Sequence, residues 1–223
     1  MDKFECFVYN LSNKKLKLYV NASLIMYVFD ILLFFLIGIA ENSMSNIITG
    51  FILIFWLILT LALFNFVASK YRTFVFYIFG VTILGIIEET VIYYNGGGLN
   101  GTAVSLKQDL LLVVPVFVFL GLALYIFKHF FNFVSSDFYV YGSIYGFILE
   151  LIIGGKIGYF YLFLGPALVI YGSMLAAFAP KLSEQAKKVT LNKIIEIIIV
   201  LVVMFIFMIV GAIVGGMMYS ILK

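Results

Sequence analysis

A single cysteine, Cys6, and a single histidine, His129, supply the only thiol and the only imidazole among 223 residues. One cysteine cannot close an internal disulfide or hold a cysteine-ligated cluster. One histidine excludes bis-histidine haem ligation and zinc sites built on several imidazoles, and leaves none spare for a hydrolytic triad. His129 follows Lys128 in a polar turn, where a solvated interfacial side chain is its plain role. Charge is scarce too. Only 11% of residues are Asp, Glu, Lys or Arg, against about 25% in soluble domains, and 65% are hydrophobic. That balance excludes an ordinary water-soluble fold. The net charge of +3 is small and scattered, which argues against a nucleic-acid partner. Phosphate-cradling loop motifs are missing as well, so neither nucleotide nor metal cofactor is expected. The N-terminal segment, residues 1–17, is polar and lacks the apolar run and small-residue cleavage site of a signal peptide.

Apolar runs, by contrast, fill the chain. Crossing the hydrocarbon core as a helix takes about 20 apolar residues. Seven stretches qualify: Leu18–Ala40, Ile47–Ala68, Phe74–Tyr94, Leu110–Phe127, Phe138–Ile153, Tyr159–Ala179 and Ile194–Ile221. The fifth is short for a span and the seventh long enough to tilt. No polar tract remains for a soluble domain, so residues 1–223 read as one integral membrane domain. The expected fold is all-α, a polytopic bundle of seven transmembrane helices.

Lysine and arginine orient it. The N-terminal segment has Lys3, Lys14, Lys15 and Lys17; the second loop has Lys70 and Arg72; the fourth has Lys128; the sixth has Lys181, Lys187, Lys188 and Lys193. The alternate loops and the C-terminus hold only Lys107, Lys156 and Lys223. Positive residues stay inside, which predicts a cell-membrane protein with a cytoplasmic N-terminus and an outer C-terminus. Asn100-Gly101-Thr102 in an outer loop is then a glycosylation acceptor.

Two glycine pairs, Gly142-x-x-x-Gly146 and Gly211-x-x-x-Gly215, put small residues on one helix face and read as packing devices. Such faces could also serve a helix-mediated homo-oligomer. Pro115 and Pro166 interrupt the fourth and sixth helices, each freeing a backbone carbonyl.

A repeat adds direction. The third helix reads Thr82-x-x-Gly85-x-x-x-Glu89 and the fifth Ser143-x-x-Gly146-x-x-x-Glu150. In an α-helix the acid, the glycine and the hydroxyl of each set share a face. A glycine-rich turn follows each, and the next helix has a proline and, six residues on, a glycine: Pro115 with Gly121, Pro166 with Gly172. Ser23, seven residues before Asp30, is a weaker echo in the first helix. The chain therefore reads as repeated helical hairpins with a seventh helix added.

A carboxylate at bilayer depth costs several kcal/mol unless paired, hydrated or protonated. Asp30, Glu89 and Glu150 are accordingly placed in one inward-facing polar pocket as candidate catalytic residues. Thr82, Ser143, Tyr93, Tyr159 and Tyr161 are the candidate substrate-binding groups. Tyr93 lies four residues after Glu89, and the other two tyrosines follow the second acidic helix. Glu88, about 100° around the helix from Glu89, is expected to snorkel to the outer surface.

One reading is an enzyme acting on an isoprenoid lipid. A carboxylic acid kept protonated by apolar surroundings can give its proton to an alkene, and aromatic faces with a second carboxylate stabilise the carbocation. Gly146-Phe147-Ile148-Leu149-Glu150-Leu151-Ile152-Ile153-Gly154, Gly158-Tyr159-Phe160-Tyr161 and Leu164-Gly165-Pro166 resemble the carotenoid-biosynthesis hydratases of the bisanhydrobacterioruberin hydratase type. Val114-Pro115, after Glu89 and the triple glycine, is similar to that family's later Val-Pro step, whereas its Pro-Phe-Gly before the tyrosines is missing here. The resemblance implies a multi-pass enzyme, a hydratase or cyclase, with a membrane glutamate as proton donor and a small hydrophobic substrate. A second reading is a small transporter or channel whose acids bind a cation or shuttle a proton. A third is a structural subunit whose acids pair with a partner.

Overall fold

A computed structural model describes residues 14–66, 73–94, 105–131, 133, 135–153, 160–179 and 192–222. All regular structure among them is helical. The helices are α1 (Lys14–Ala40), α2 (Met44–Phe66), α3 (Phe74–Tyr94), α4 (Leu106–Phe130), α5 (Ser135–Gly146), α6 (Phe160–Ala177) and α7 (Lys193–Leu222). A π-helical segment, Phe147–Ile153, continues α5. Each expected stretch thus coincides with a helix, and the boundaries extend mainly at polar ends that hydropathy leaves out.

Among the described residues five helices, α1, α2, α3, α4 and α7, are long and apolar enough to cross a membrane. α6 has a shorter apolar stretch, Leu162–Ala177. The outward residues of the long helices are large and apolar, among them Ile25, Phe29, Leu32 and Leu36 on α1 and Ile198, Val202, Ile206 and Ile213 on α7. Surfaces of this kind suit lipid rather than water. The chain fits a multi-pass membrane protein in contact with lipid.

The chain divides into two compact units. The first contains α1, α2, α5 with its π segment, and α6. α1 turns into α2 through Glu41, Asn42 and Ser43. Asn42 has a φ of 50°, a left-handed conformation that asparagine tolerates better than most residues. Tyr27, Ile31, Phe34, Leu53 and Val169 form the core joining α1, α2 and α6. The Tyr27 hydroxyl donates to the Leu53 carbonyl at 2.8 Å. Ser173 ties α2 to α6: its Oγ accepts from Trp56 Nε1 at 3.3 Å and from Thr60 Oγ1 at 3.2 Å, and donates to the Ile170 carbonyl. Replacing Ser173 by Ala strips an acceptor from two buried donors. Thermal unfolding of the purified protein is expected to show a loss of about 2 kcal/mol, the usual penalty for buried unsatisfied groups.

The second unit contains α3, α4 and α7. Ser105 caps α4, its hydroxyl accepting the Gln108 N–H at 3.2 Å. Gly211 and Gly215 of α7 lie on the α4 backbone between Leu111 and Val116, where any Cβ would collide with main-chain atoms. Proline at position 115 cannot donate to Leu111, and the freed Leu111 carbonyl faces Gly215. The glycine pair on α7 is therefore a helix-packing surface.

The α3–α4 and α5–α6 hairpins cross at corresponding residues of the repeat, each within its own unit. Gly85, four residues before Glu89, meets the Phe117 ring just after Pro115; Gly146, four before Glu150, meets the Ala167 carbonyl just after Pro166. Gly121 lies against Ile78, and Gly172 against Tyr139, in each case eleven residues before the acid. In the α5–α6 hairpin the repeated glycines meet main-chain atoms of the facing helix, and in the α3–α4 hairpin they make room for its side chains.

Candidate functional site

On α1 the buried polar residues follow helical spacing. Tyr19, Ser23, Tyr27 and Asp30 share one face, and the last three are buried. Asp30 is only 3% exposed, midway along an apolar helix. Its Oδ2 accepts the backbone N–H of Gly165 at 2.8 Å. Glycine is what permits this approach, since a Cβ at position 165 would overlap Asp30 Oδ2 and the Tyr27 backbone. Oδ1 of Asp30 accepts no hydrogen bond among the described residues. One oxygen is thus anchored to the protein and the other is available to a proton, a substrate or a cation.

Glu150 lies in the π segment, half-buried, and its Oε1 accepts the Tyr171 hydroxyl at 2.9 Å. Segments of π-helix are rare and frequently accompany functional sites. The wider i→i+5 turn advances each residue by a smaller angle than an α-helix does. Glu150 is therefore rotated away from the position, level with Gly146, that α-helical spacing assigns it. Both acids are held by α6. Gly165 and Tyr171 are six residues apart, or about 9 Å along the axis. They meet different faces of that helix, so Asp30 and Glu150 are anchored separately rather than as one pair of carboxyls.

A hydroxyl cluster adjoins the Asp30 stripe. Ser23 donates to the Val20 carbonyl at 2.8 Å, which leaves Tyr139 as the donor in their 2.8 Å contact. Ser143 donates to the Leu168 carbonyl at 2.7 Å, and Tyr19 lies beside it. Ser143 therefore braces α5 on α6, its proton committed and its oxygen within hydrogen-bond reach of the Tyr19 and Tyr139 hydroxyls. Thr82 likewise donates to Ile78 of its own helix at 2.8 Å. Tyr93 is half-buried, edge-on to Tyr94 with ring centroids 5.6 Å apart. Tyr159, the side chain of Tyr161 and the loop holding Asn100 lie outside the described residues.

The first unit brings Asp30, Glu150 and Ser143 onto helices packed around α6; Glu89, Thr82 and Tyr93 belong to the second. Glu88 requires a correction. It is 5% exposed, as covered as Glu89 at 7%, and does not snorkel outward. The reason is the width of the buried face: Tyr77, Val81, Leu84 and Glu88 continue one helical row, and Gly85 and Glu89 the row beside it. Three buried groups escaped the sequence reading. Tyr171 gave no local signal, because it reaches Glu150 across a hairpin. Asp109 and Lys128, near opposite ends of α4, are both buried, and Lys128 sits 5.4 Å from the centre of the Tyr125 ring.

No protein-family model, curated protein or solved structure matches this chain. Function has to be read from the chemistry of the site.

Proposed function

We propose that this chain is a seven-span membrane enzyme that adds a proton to an alkene of an isoprenoid lipid, with Asp30 and Glu150 as its acid–base groups. The observation that carries the reading is the buried Asp30 carboxyl, one oxygen anchored by the Gly165 N–H and the other unbonded among the described residues. A carboxylic acid so placed can transfer its proton from Oδ1 to an alkene carbon. The carbocation then takes up water, or an internal alkene, and loses a proton to a carboxylate. Glu150, with Tyr171 on one oxygen, is suited to receive that proton. The resemblance to carotenoid hydratases supports this assignment, because Glu150 and the Leu164-Gly165-Pro166 step both belong to the α5–α6 hairpin. The geometry shifts the preferred donor from glutamate to Asp30. Lipid extracts of cells producing the protein, compared with cells lacking it, test the reading: a new hydrated or cyclised isoprenoid is expected, and an unchanged profile would overturn it.

A proton- or cation-coupled carrier is the second reading, favoured by the buried Glu88, Glu89 and Asp109 of the second unit. Unchanged lipids with altered uptake of a cation would support it.

The orientation belongs to the same proposal. α5 with its π segment has 19 residues and α6 has 18. Each approaches the roughly 20 needed to span. With seven spans, a cysteine introduced within 181–191 is expected to react with a membrane-impermeant maleimide only after cells are opened. One at position 223 should react in intact cells. The reverse pattern would invert the topology.

A further inference from the structure

The second unit holds a groove that the acid chemistry does not use. Its volume is about 530 Å³, within the range of sites that take small ligands. Leu110, Leu111 and Val114 of α4 line it with Ile86 of α3 and Met218 of α7, an almost wholly apolar surface. Lys107, in the first turn of α4, supplies the charge. The groove lies along helices apolar enough to span a membrane, so hydrocarbon chains are the molecules at its opening. It is too small for a helix, whose diameter with side chains is roughly 10–12 Å.

Lys107 suggests what the chain is attached to. Its Nζ donates to the Leu222 carbonyl at 2.9 Å, which holds the ammonium beside the ends of α4 and α7. An ammonium has three donors, and among the described residues this is the one hydrogen bond Lys107 makes. Among the described residues no acidic side chain lines the groove: Asp109, in the same turn, is fully buried and absent from that face. The amino terminus of α4 adds positive potential at the same end.

We infer that this groove binds one chain of a membrane lipid with an anionic headgroup, which Lys107 pairs. The site is independent of Asp30 and Glu150, and of whether the chain is an enzyme or a carrier. Ligand class follows from the lining: the apolar residues accept any acyl or prenyl chain, and Lys107 selects the charge of the head.

The test uses the full chain in phosphatidylcholine vesicles that contain a photoreactive lipid, either phosphatidylglycerol or phosphatidylcholine with a diazirine on the acyl chain. After illumination, peptide mass spectrometry is expected to locate adducts at Leu110–Val114 and Met218. The phosphatidylglycerol probe should label about fivefold more than its neutral counterpart, the factor one lysine contributes beside an anionic surface. Lys107→Gln, an exposed position, should bring the two probes to parity without removing the adducts. Val114→Trp should fill the groove and suppress both, in protein whose elution profile matches the unaltered chain. Equal labelling by the two probes in the unaltered protein would overturn the headgroup assignment. Adducts spread along Ile198–Ile213 instead of the groove would overturn the site. A cross-link joining two chains through Met218 would assign the groove to a second copy and overturn the lipid.

Discussion

If the proposed alkene protonation is its function, Asp30→Asn protein is expected to reach the membrane in ordinary amounts and to lose about 100-fold or more of that activity. The carboxamide oxygen can still accept the Gly165 N–H, so the α1–α6 contact survives. What disappears is the ionisable proton at the other oxygen, and positioned acids and bases contribute about 10²–10⁴ in rate. Glu150→Gln should act in the same direction while keeping the Tyr171 contact. Product formed per amount of folded protein is the measurement, with detergent elution as the check on folding. Full activity in both variants would end the case for an intramembrane acid.

The largest structural effect is expected from Gly146→Leu. A Cβ at position 146 would overlap the Ala167 carbonyl oxygen and the Tyr171 ring, and a whole isobutyl group cannot be placed without parting α5 from α6. Overpacking ordinarily costs about 1–3 kcal/mol. Rigid backbone on the far side puts this site at the upper end. The same shift would move Tyr171 off Glu150, so loss of activity should accompany loss of yield. Gly216→Leu is the matched control, because nothing lies within 4 Å of a Cβ there. Its yield and melting temperature should stay close to those of the unaltered protein. If the two leucine variants melted alike, the assignment of Gly146 to a helix crossing would be wrong.

The two effects differ in kind, and the site explains why. In the proposed reaction Asp30 supplies the proton, from a contact that an isosteric amide preserves, whereas Gly146 contributes only the absence of a side chain. Ser143 and Thr82, expected to bind substrate, sit between these extremes, their protons donated to the Leu168 and Ile78 carbonyls.

By itself the amino-acid sequence determined the helices. Apolar length is a local property, and the turns between runs are polar, so all seven helical segments could be located from single residues and their neighbours. The glycine pairs on α5 and α7 were legible for a related reason: close approach of two backbones needs small residues at i and i+4 on one face. Burial of Asp30 followed from its place midway along an apolar run. The partner of each acid was decided elsewhere. Gly165 meets Asp30 across 135 residues and Tyr171 meets Glu150 across 21, and no periodicity connects either pair. The π turn after Gly146 rotated Glu150 off the face that α-helical spacing assigns, and the width of the buried face of α3 took in Glu88 together with Glu89. Hydropathy responds to the residue and its near neighbours in the chain, whereas the environment of a carboxyl group depends on which helices pack against it.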